Sequence, residues 1–253
     1  MQPAWVLHRR AYGDGGFLVE LFTLQTGRLT VMLRGARRKA RGGSSVGLAQ
    51  PFIPLLVEFG GRSELKLLKR IEAVGGGIQF QGRALFSGLY VNELLTRLLP
   101  SFDPHPALFA RYGDLLPRLI DSSDELALRE LELALLDELG YGVVFDRDSD
   151  GEAIDAFGQY RFDPSLGFVR ARFAGEAAVP AASYQGKNLK AIDEWLTKGI
   201  CLDHSAGQTL KHVMREVLAG HLGGRPLRSR DMLREFLRGR SVPSQTAEVS
   251  TKR

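Results

Sequence analysis

Phe17-Leu18-Val19-Glu20-Leu21-Phe22-Thr23-Leu24-Gln25-Thr26-Gly27-Arg28-Leu29-Thr30-Val31-Met32-Leu33-Arg34 is the stretch on which the fold turns. Phe17, Val19 and Leu21 alternate with Leu18, Glu20 and Phe22; beyond Gln25-Thr26-Gly27, Leu29, Val31 and Leu33 alternate with Thr30 and Met32. Successive side chains of a strand point to opposite faces, so the spacing predicts a hairpin with one buried face. Upstream, Trp5-Val6-Leu7 reads as a strand ending at the turn Tyr12-Gly13-Asp14-Gly15-Gly16. Downstream, Phe52 to Phe59 and Leu65 to Val74 read as two more strands joined at Gly60-Gly61-Arg62-Ser63. Short strands with glycine turns and no long helical pattern match a small closed or nearly closed barrel. Strand count alone leaves more than one topology open, an SH3-like barrel among them.

After Gly75-Gly76-Gly77 the period changes. Leu85, Phe86, Leu89, Tyr90, Leu94, Leu95, Leu98 and Leu99 recur at three- and four-residue spacing, which predicts an amphipathic helix ending at Pro100. A second helix is expected over Pro106 to Ile120. A third is expected after the cap Ser122-Ser123-Asp124-Glu125, burying Leu128, Leu131, Leu135, Leu136 and Leu139 and stopping at Gly140. From Tyr141 to Pro180 the helical period fails; Tyr160-Arg161-Phe162 and Gly167-Phe168-Val169 read as a short hairpin. Helices are expected again over Ala191 to Thr197, Gly207 to Leu222 and Ser229 to Leu237, and Arg240 to Arg253 reads as a polar, disordered tail.

The 253 residues carry a formal net charge of +5, unevenly placed. No acidic residue falls between Glu20 and Glu58, where Arg28, Arg34, Arg37, Arg38, Lys39 and Arg41 lie. A second basic zone runs through Lys211, Arg215, Arg225, Arg228, Arg230, Arg234, Arg238 and Arg240, while Asp121 to Glu138 and Asp146 to Asp155 are acidic. Two basic ends around an acidic middle point to a polyanionic partner. The one cysteine, Cys201, leaves no intramolecular disulfide and no thiolate-rich zinc site. With no secretory pattern at Met1-Gln2-Pro3-Ala4-Trp5 and no apolar run near the ~20 residues a membrane span needs, a cytoplasmic, nucleoid-associated protein with no membrane partner is expected.

Motifs for bond-making chemistry are weak. Asp146-x-Asp148-x-Asp150-Gly151 imitates the start of a calcium loop, but Phe157 stands where the bidentate Glu should be. Cys201 and His204 are spaced as a ligand pair without a second cysteine, so a buried or capping role is expected. Nucleophile elbows, zinc-protease helices, Walker and dinucleotide motifs do not occur. By contrast, Arg34-Gly35-Ala36-Arg37-Arg38-Lys39-Ala40-Arg41-Gly42-Gly43 follows a strand directly; cations on a glycine-flanked loop can follow a flexible phosphate backbone. A solvated basic loop without ligand is the alternative. Ser229 in Gly223-Gly224-Arg225-Pro226-Leu227-Arg228-Ser229-Arg230 could be a helix cap.

Several segments together resemble the RecO family of bacterial DNA repair and recombination mediators. They include Ala4-Trp5-Val6-Leu7-His8-Arg9-Arg10, Glu20-Leu21-Phe22-Thr23, Gly27-Arg28-Leu29, Arg34-Gly35-Ala36-Arg37, Gln50-Pro51-Phe52 and Glu64-Leu65-Lys66. The most specific string is Ser87-Gly88-Leu89-Tyr90-Val91-Asn92-Glu93-Leu94-Leu95, followed by Leu131 to Leu136, Leu139-Gly140-Tyr141-Gly142 and Leu222 to Arg230. The resemblance implies an α+β chain: a five-stranded OB-fold barrel over 1–80, a mainly helical domain over 81–240 with an irregular segment near 141–180, and the tail 241–253. It also implies a non-enzymatic, cofactor-free protein that binds single- and double-stranded DNA, anneals complementary strands and engages the C-terminal tail of the single-strand DNA-binding protein. RecR is a further implied partner, so that RecA loads on gapped DNA. Some relatives hold a cysteine-coordinated zinc in the irregular segment; without cysteines there, packing around Tyr160 and Phe168 must hold it.

On this reading Arg28, Arg34, Arg37, Arg38, Lys39 and Arg41 would contact DNA, and Lys211, Arg215, Arg225, Arg228 and Arg230 DNA or a partner. Arg129, beside Leu128 and Leu131, would meet the acidic tail; a solvated helix residue paired to Glu125 or Glu132 is its alternative. An RNA-binding OB-fold protein, a metal-dependent nuclease using the Asp146 to Asp155 cluster, and a pure assembly adaptor are the rival classes.

Overall fold

The computed structural model describes residues 1–34, 39–40, 43–120, 124–171 and 183–240. Arg37, Arg38, Arg41, the side chain of Lys39, Ser122-Ser123 of the expected cap and the expected tail at 241–253 lie outside the described residues.

The long first strand β1 (Gln2–Tyr12) is followed by β2 (Gly16–Thr23) and β3 (Gly27–Leu33). Two-residue strands β4 (Lys39–Ala40) and β5 (Gly43–Ser44) and the single-turn helix α1 (Ser45–Leu48) come next, then β6 (Leu55–Gly60) and β7 (Lys66–Ala73). β1 pairs with both β2 and β6, and β3 runs parallel to β7 through Val31↔Lys66 and Met32↔Leu67. The order β1-β2-β3-β7-β6 therefore closes on itself. This five-stranded closed barrel is OB-like, which resolves the topology that strand count left open. The alternation read in β2 and β3 holds, with Val19, Leu21, Leu29, Val31 and Leu33 in the interior, where Ala4, Val6, Leu55, Val57 and Ile71 join them in one buried cluster.

The helical part consists of α2 (Gly82–Leu98), α3 (Pro106–Arg118), α4 (Glu125–Glu138), α5 (Gly186–Lys198), α6 (His204–His221) and α7 (Arg228–Arg240). Between α4 and α5 sits a small sheet of order β10-β8-β9, from β8 (Gln159–Asp163), β9 (Gly167–Arg170) and β10 (Tyr184–Gln185). Asp124 caps α4 by accepting from the Ala127 amide at 3.0 Å, and Gly140 takes the left-handed conformation that ends it (φ +80°).

Four expectations need correction. α5 begins at Gly186 rather than Ala191, because its first turn buries Asn188, whose amide donates to Thr209 and Ser205 of α6 at 2.9 and 3.1 Å. A buried polar residue is invisible to an apolar period. α6 begins at His204 rather than Gly207, since Asp203 caps it through the Ala206 amide at 2.7 Å. That leaves Cys201 exposed, neither buried nor capping. Ser229 is not a cap: it lies within the first turn of α7, where the Glu93 carboxylate of α2 accepts from the Arg228 amide, the Ser229 amide and the Ser229 hydroxyl at 2.7–2.9 Å. A carboxylate at a helix N-terminus satisfies orphan amides and opposes the positive dipole end, so Glu93 fixes α7 onto α2.

Barrel and helices share one core. Leu7 and Phe22, on barrel strands, and Phe52, in the turn before β6, are buried with Val91, Leu95, Tyr112 and the other helical residues, so the expected strand from Phe52 begins only at Leu55. Leu7 stands where the β1–β2 register slips, between Val6 and His8. Its carbonyl accepts from the Asn92 amide at 3.0 Å, and the Asn92 oxygen accepts from the Tyr112 hydroxyl at 2.7 Å. Asn92 thus joins β1, α2 and α3 at a bulge, where ladder bonding is interrupted. At the other end of the junction the chain passes close to the turn at Gly27: a Cβ there would stand 1.8 Å from the Asp103 carbonyl oxygen, so no other residue fits.

The segment after α4 is held by side chains. Phe145, Ile154, Tyr160, Phe168 and Tyr184 are buried in the helical core, and the Tyr160 hydroxyl accepts from the Asp155 amide at 2.9 Å.

Candidate functional site

Two sets of cations were marked by sequence, and they have different surroundings. At the barrel, Arg34 is exposed at the end of β3, immediately before the basic loop. Arg28 is not open. Its guanidinium donates from Nε to the Leu99 carbonyl at 2.8 Å and from Nη2 to the Ser101 hydroxyl at 2.8 Å, and it pairs with Glu20 through Nη1. Glu20 also accepts from Thr30 at 2.7 Å. Arg28 therefore ties the barrel to the end of α2, with all three of its guanidinium nitrogens engaged. Of the aromatic residues near the barrel, Phe22 and Phe52 are core, Phe59 packs against the barrel interior and Phe17 lies under the Arg9 guanidinium at 5.1 Å, whereas Tyr12, at the end of β1, is 49% exposed.

In the helical part, residues far apart in sequence converge. α2, α4, α6 and α7 enclose a groove of about 390 Å³ whose apolar lining includes Phe86, Leu119, Leu128, Leu233 and Leu237. Its cations are Arg83 from α2, Arg129 from α4, Lys211 and Arg215 from α6, and Arg230 and Arg234 from α7. Leu128, Arg129, Lys211, Arg215 and Arg230, marked separately from the sequence, thus share one groove. Arg225 and Arg228 do not line it; both are exposed near the start of α7. Among the described residues, no hydrogen bond or ion pair engages the side chains of Arg83 or Arg215.

Beneath the cations lies a buried polar network. Glu132 is 1% exposed and forms an ion pair with Arg129 at 2.8 Å, while its other oxygen accepts from the Tyr90 hydroxyl at 2.6 Å. Burial pushes the Glu132 carboxyl above its ordinary range, against the opposing pull of Arg129 and the Tyr90 hydrogen bond. Burial also raises the Tyr90 phenol, with Glu132 reinforcing the shift. Arg230 reaches over from α7, its guanidinium 5.2 Å from the centre of the Tyr90 ring. Arg129 is 8% exposed, and its Nε has no hydrogen-bond partner. An orphaned buried donor costs about 1–3 kcal/mol. Of the two sequence alternatives for Arg129, the Glu132 pairing holds, but buried beneath a groove rather than solvated on a helix.

The acidic cluster has ordinary structural duties. Asp148 accepts from the Asp150 and Glu152 amides at 3.0 and 3.1 Å, Asp146 pairs with Arg147 at 2.8 Å, and Asp155 with Arg170 at 2.7 Å. Among the described residues no group of three or more His, Cys, Asp or Glu side chains could hold a metal ion, and no helix is long and apolar enough to cross a membrane.

Residues 1–76 match the family profile described as Recombination protein O N terminal, and residues 79–231 that described as Recombination protein O C terminal. The chain belongs to the RecO family. It is 45% identical over 234 residues to the DNA repair protein RecO of Stutzerimonas stutzeri, covering 91% of this chain and 92% of the relative. It is 41% identical over 235 residues to that of Halorhodospira halophila (93% and 97%), and 43% identical over 237 residues to that of Pseudomonas putida (92% and 97%). RecO membership places the chain in DNA repair and recombination. Sequence reasoning missed the groove's Arg83, Phe86, Leu233 and Leu237 and the buried Tyr90–Glu132 pair. Tyr90 stands in the string that carries the RecO resemblance, but no one-dimensional signal joins it to Glu132.

Proposed function

We propose that the protein is a non-enzymatic mediator that grips DNA with its barrel cations and recruits the single-strand DNA-binding protein through the helical groove. The observation that carries this reading is the pairing, in one groove, of an apolar lining with cations from four helices, the α4 cation Arg129 being itself nearly buried at the groove floor. An acidic peptide ending in an aromatic residue complements both: its carboxylates meet the cations while its ring enters the apolar slot. RecR is a further partner on this reading, and the outcome is RecA loading on gapped DNA.

DNA contacts are assigned to Arg34, Arg37, Arg38, Lys39 and Arg41, with Arg225 and Arg228 as additional contacts to DNA or protein. Each cation that meets a phosphate releases condensed counterions, so single-strand affinity should fall with salt by about 0.7 log units per tenfold salt for each contact. Annealing then needs no catalysis: screening two polyanions lowers their repulsion and base pairing supplies the drive.

The test is one binding series on the full chain. A labelled acidic peptide with a terminal aromatic residue and a single-stranded oligonucleotide are titrated against wild type, Arg230→Ala, and Arg37→Ala combined with Arg38→Ala. Arg230→Ala should weaken the peptide roughly tenfold, the loss of one charge-assisted contact, and leave DNA unchanged. The double variant should do the reverse, with a shallower salt slope. A wild-type chain that binds neither ligand in dilute salt would overturn the reading.

A further inference from the structure

The groove is not isolated. A second cavity of about 340 Å³, walled by Leu202, His204 and Gly207 at the start of α6, adjoins it, and Glu125, Arg129 and Lys211 line both. At this border the Glu125 carboxylate accepts from the Lys211 ammonium at 2.7 Å. Glu125 differs from the other acidic groups nearby. Asp124 is spent on the Ala127 amide and on Arg118, and Glu132 lies wholly buried under Arg129. Glu125 opens α4 but does not cap it, and its side chain is 57% exposed. Lys211, then Arg129 and Arg215, hold its carboxyl below the ordinary range, so it sits in the field of the cations assigned to the ligand.

We propose that Glu125 is an internal stand-in for the ligand's carboxylate, occupying Lys211 at the border of the two cavities until an acidic peptide displaces it. This rests on the groove reading above and adds a specificity residue to it. The exchange is feasible because an exposed ion pair is weak, contributing less than a ligand with several carboxylates gains from the remaining cations. Displacing Glu125 also joins the two cavities, giving the upstream part of the peptide a path toward His204. The stand-in keeps the affinity below what the cations alone would give, so the bound tail leaves faster. A built-in competitor of this kind acts on ligands that reach Lys211 and leaves the others untouched.

The test uses Glu125→Gln, Lys211→Gln and the double variant in the full chain, with two probes. Both peptides end in an aromatic residue with a free carboxylate; one carries several upstream Asp residues and the other has Asn in their place. Glu125→Gln should bind the Asp peptide about two- to fivefold tighter than wild type, the upper part of what an exposed ion pair contributes, and the Asn peptide within twofold. In the Lys211→Gln background the gain should vanish. If wild type binds the Asp peptide and Glu125→Gln binds it no tighter, the stand-in is refuted while the groove stands. An equal gain without Lys211 would reduce Glu125 to plain charge repulsion and refute it too. If no version binds the Asp peptide, the groove reading fails and the stand-in with it.

Discussion

Asn92 is the point at which the coupling of barrel and helices can be measured. Replacing it with leucine, an apolar side chain with the same branching at Cγ, removes both of its bonds and leaves the Leu7 carbonyl and the Tyr112 hydroxyl without these partners. Each orphan costs about 1–3 kcal/mol, so Asn92→Leu should lose roughly 2–6 kcal/mol. Tyr112→Phe orphans only the Asn92 oxygen and keeps the ring packed edge-on against Trp5 at 5.6 Å, so its cost should be about half that. The informative variant is the double one. With both side chains apolar only the Leu7 carbonyl is stranded, so adding Tyr112→Phe to Asn92→Leu should restore about 1–3 kcal/mol. Thermal unfolding followed by circular dichroism reads this at roughly 2–4 °C per kcal/mol for a chain of this size. A double variant less stable than Asn92→Leu alone would refute the network.

Arg28→Ala should lower stability, because it frees Glu20, the Leu99 carbonyl and Ser101 together, while leaving the salt slope of DNA binding unchanged; a slope shallower by one contact would return Arg28 to the DNA surface. Arg129→Ala should cost about 3–5 kcal/mol in a denaturant melt, since it strands Glu132; combining it with Glu132→Met should recover most of the loss, so peptide binding is best compared in that pair. The raised Glu132 carboxyl gives a signed pH effect. The folded state holds this proton more tightly than the unfolded chain, so the contribution is fully present below the unfolded carboxylate range and fades as pH rises through the folded pKa. Glu132→Gln should therefore flatten the decline in melting temperature across that window, and an unchanged profile would dismiss the shift.

Much of the barrel was legible because its strands are half-buried and alternate strictly: Val19, Leu21, Leu29, Val31 and Leu33 all fell on the inner face as read. The helices with apolar stripes were legible for the same reason. What escaped was polar. Asn188 hid the first turn of α5, Glu93 took the capping role given to Ser229, and Arg28, counted among free cations, is spent across the junction. The groove was legible in pieces. Arg129 and Leu128 followed from the family resemblance and Lys211, Arg215 and Arg230 from charge, but their convergence depends on how α7 docks on α2, which no local period encodes.

The shared core at the junction bears on how this molecule could be taken apart. Cut after residue 76, the barrel would show Leu7, Phe22 and Phe52 to water as one greasy flank, and the helices would show the matching half. Neither fragment would be a faithful miniature of its part in the whole. A surface that must stay covered welds barrel and helices into a single lever, so whatever tilts the helices carries the barrel with it.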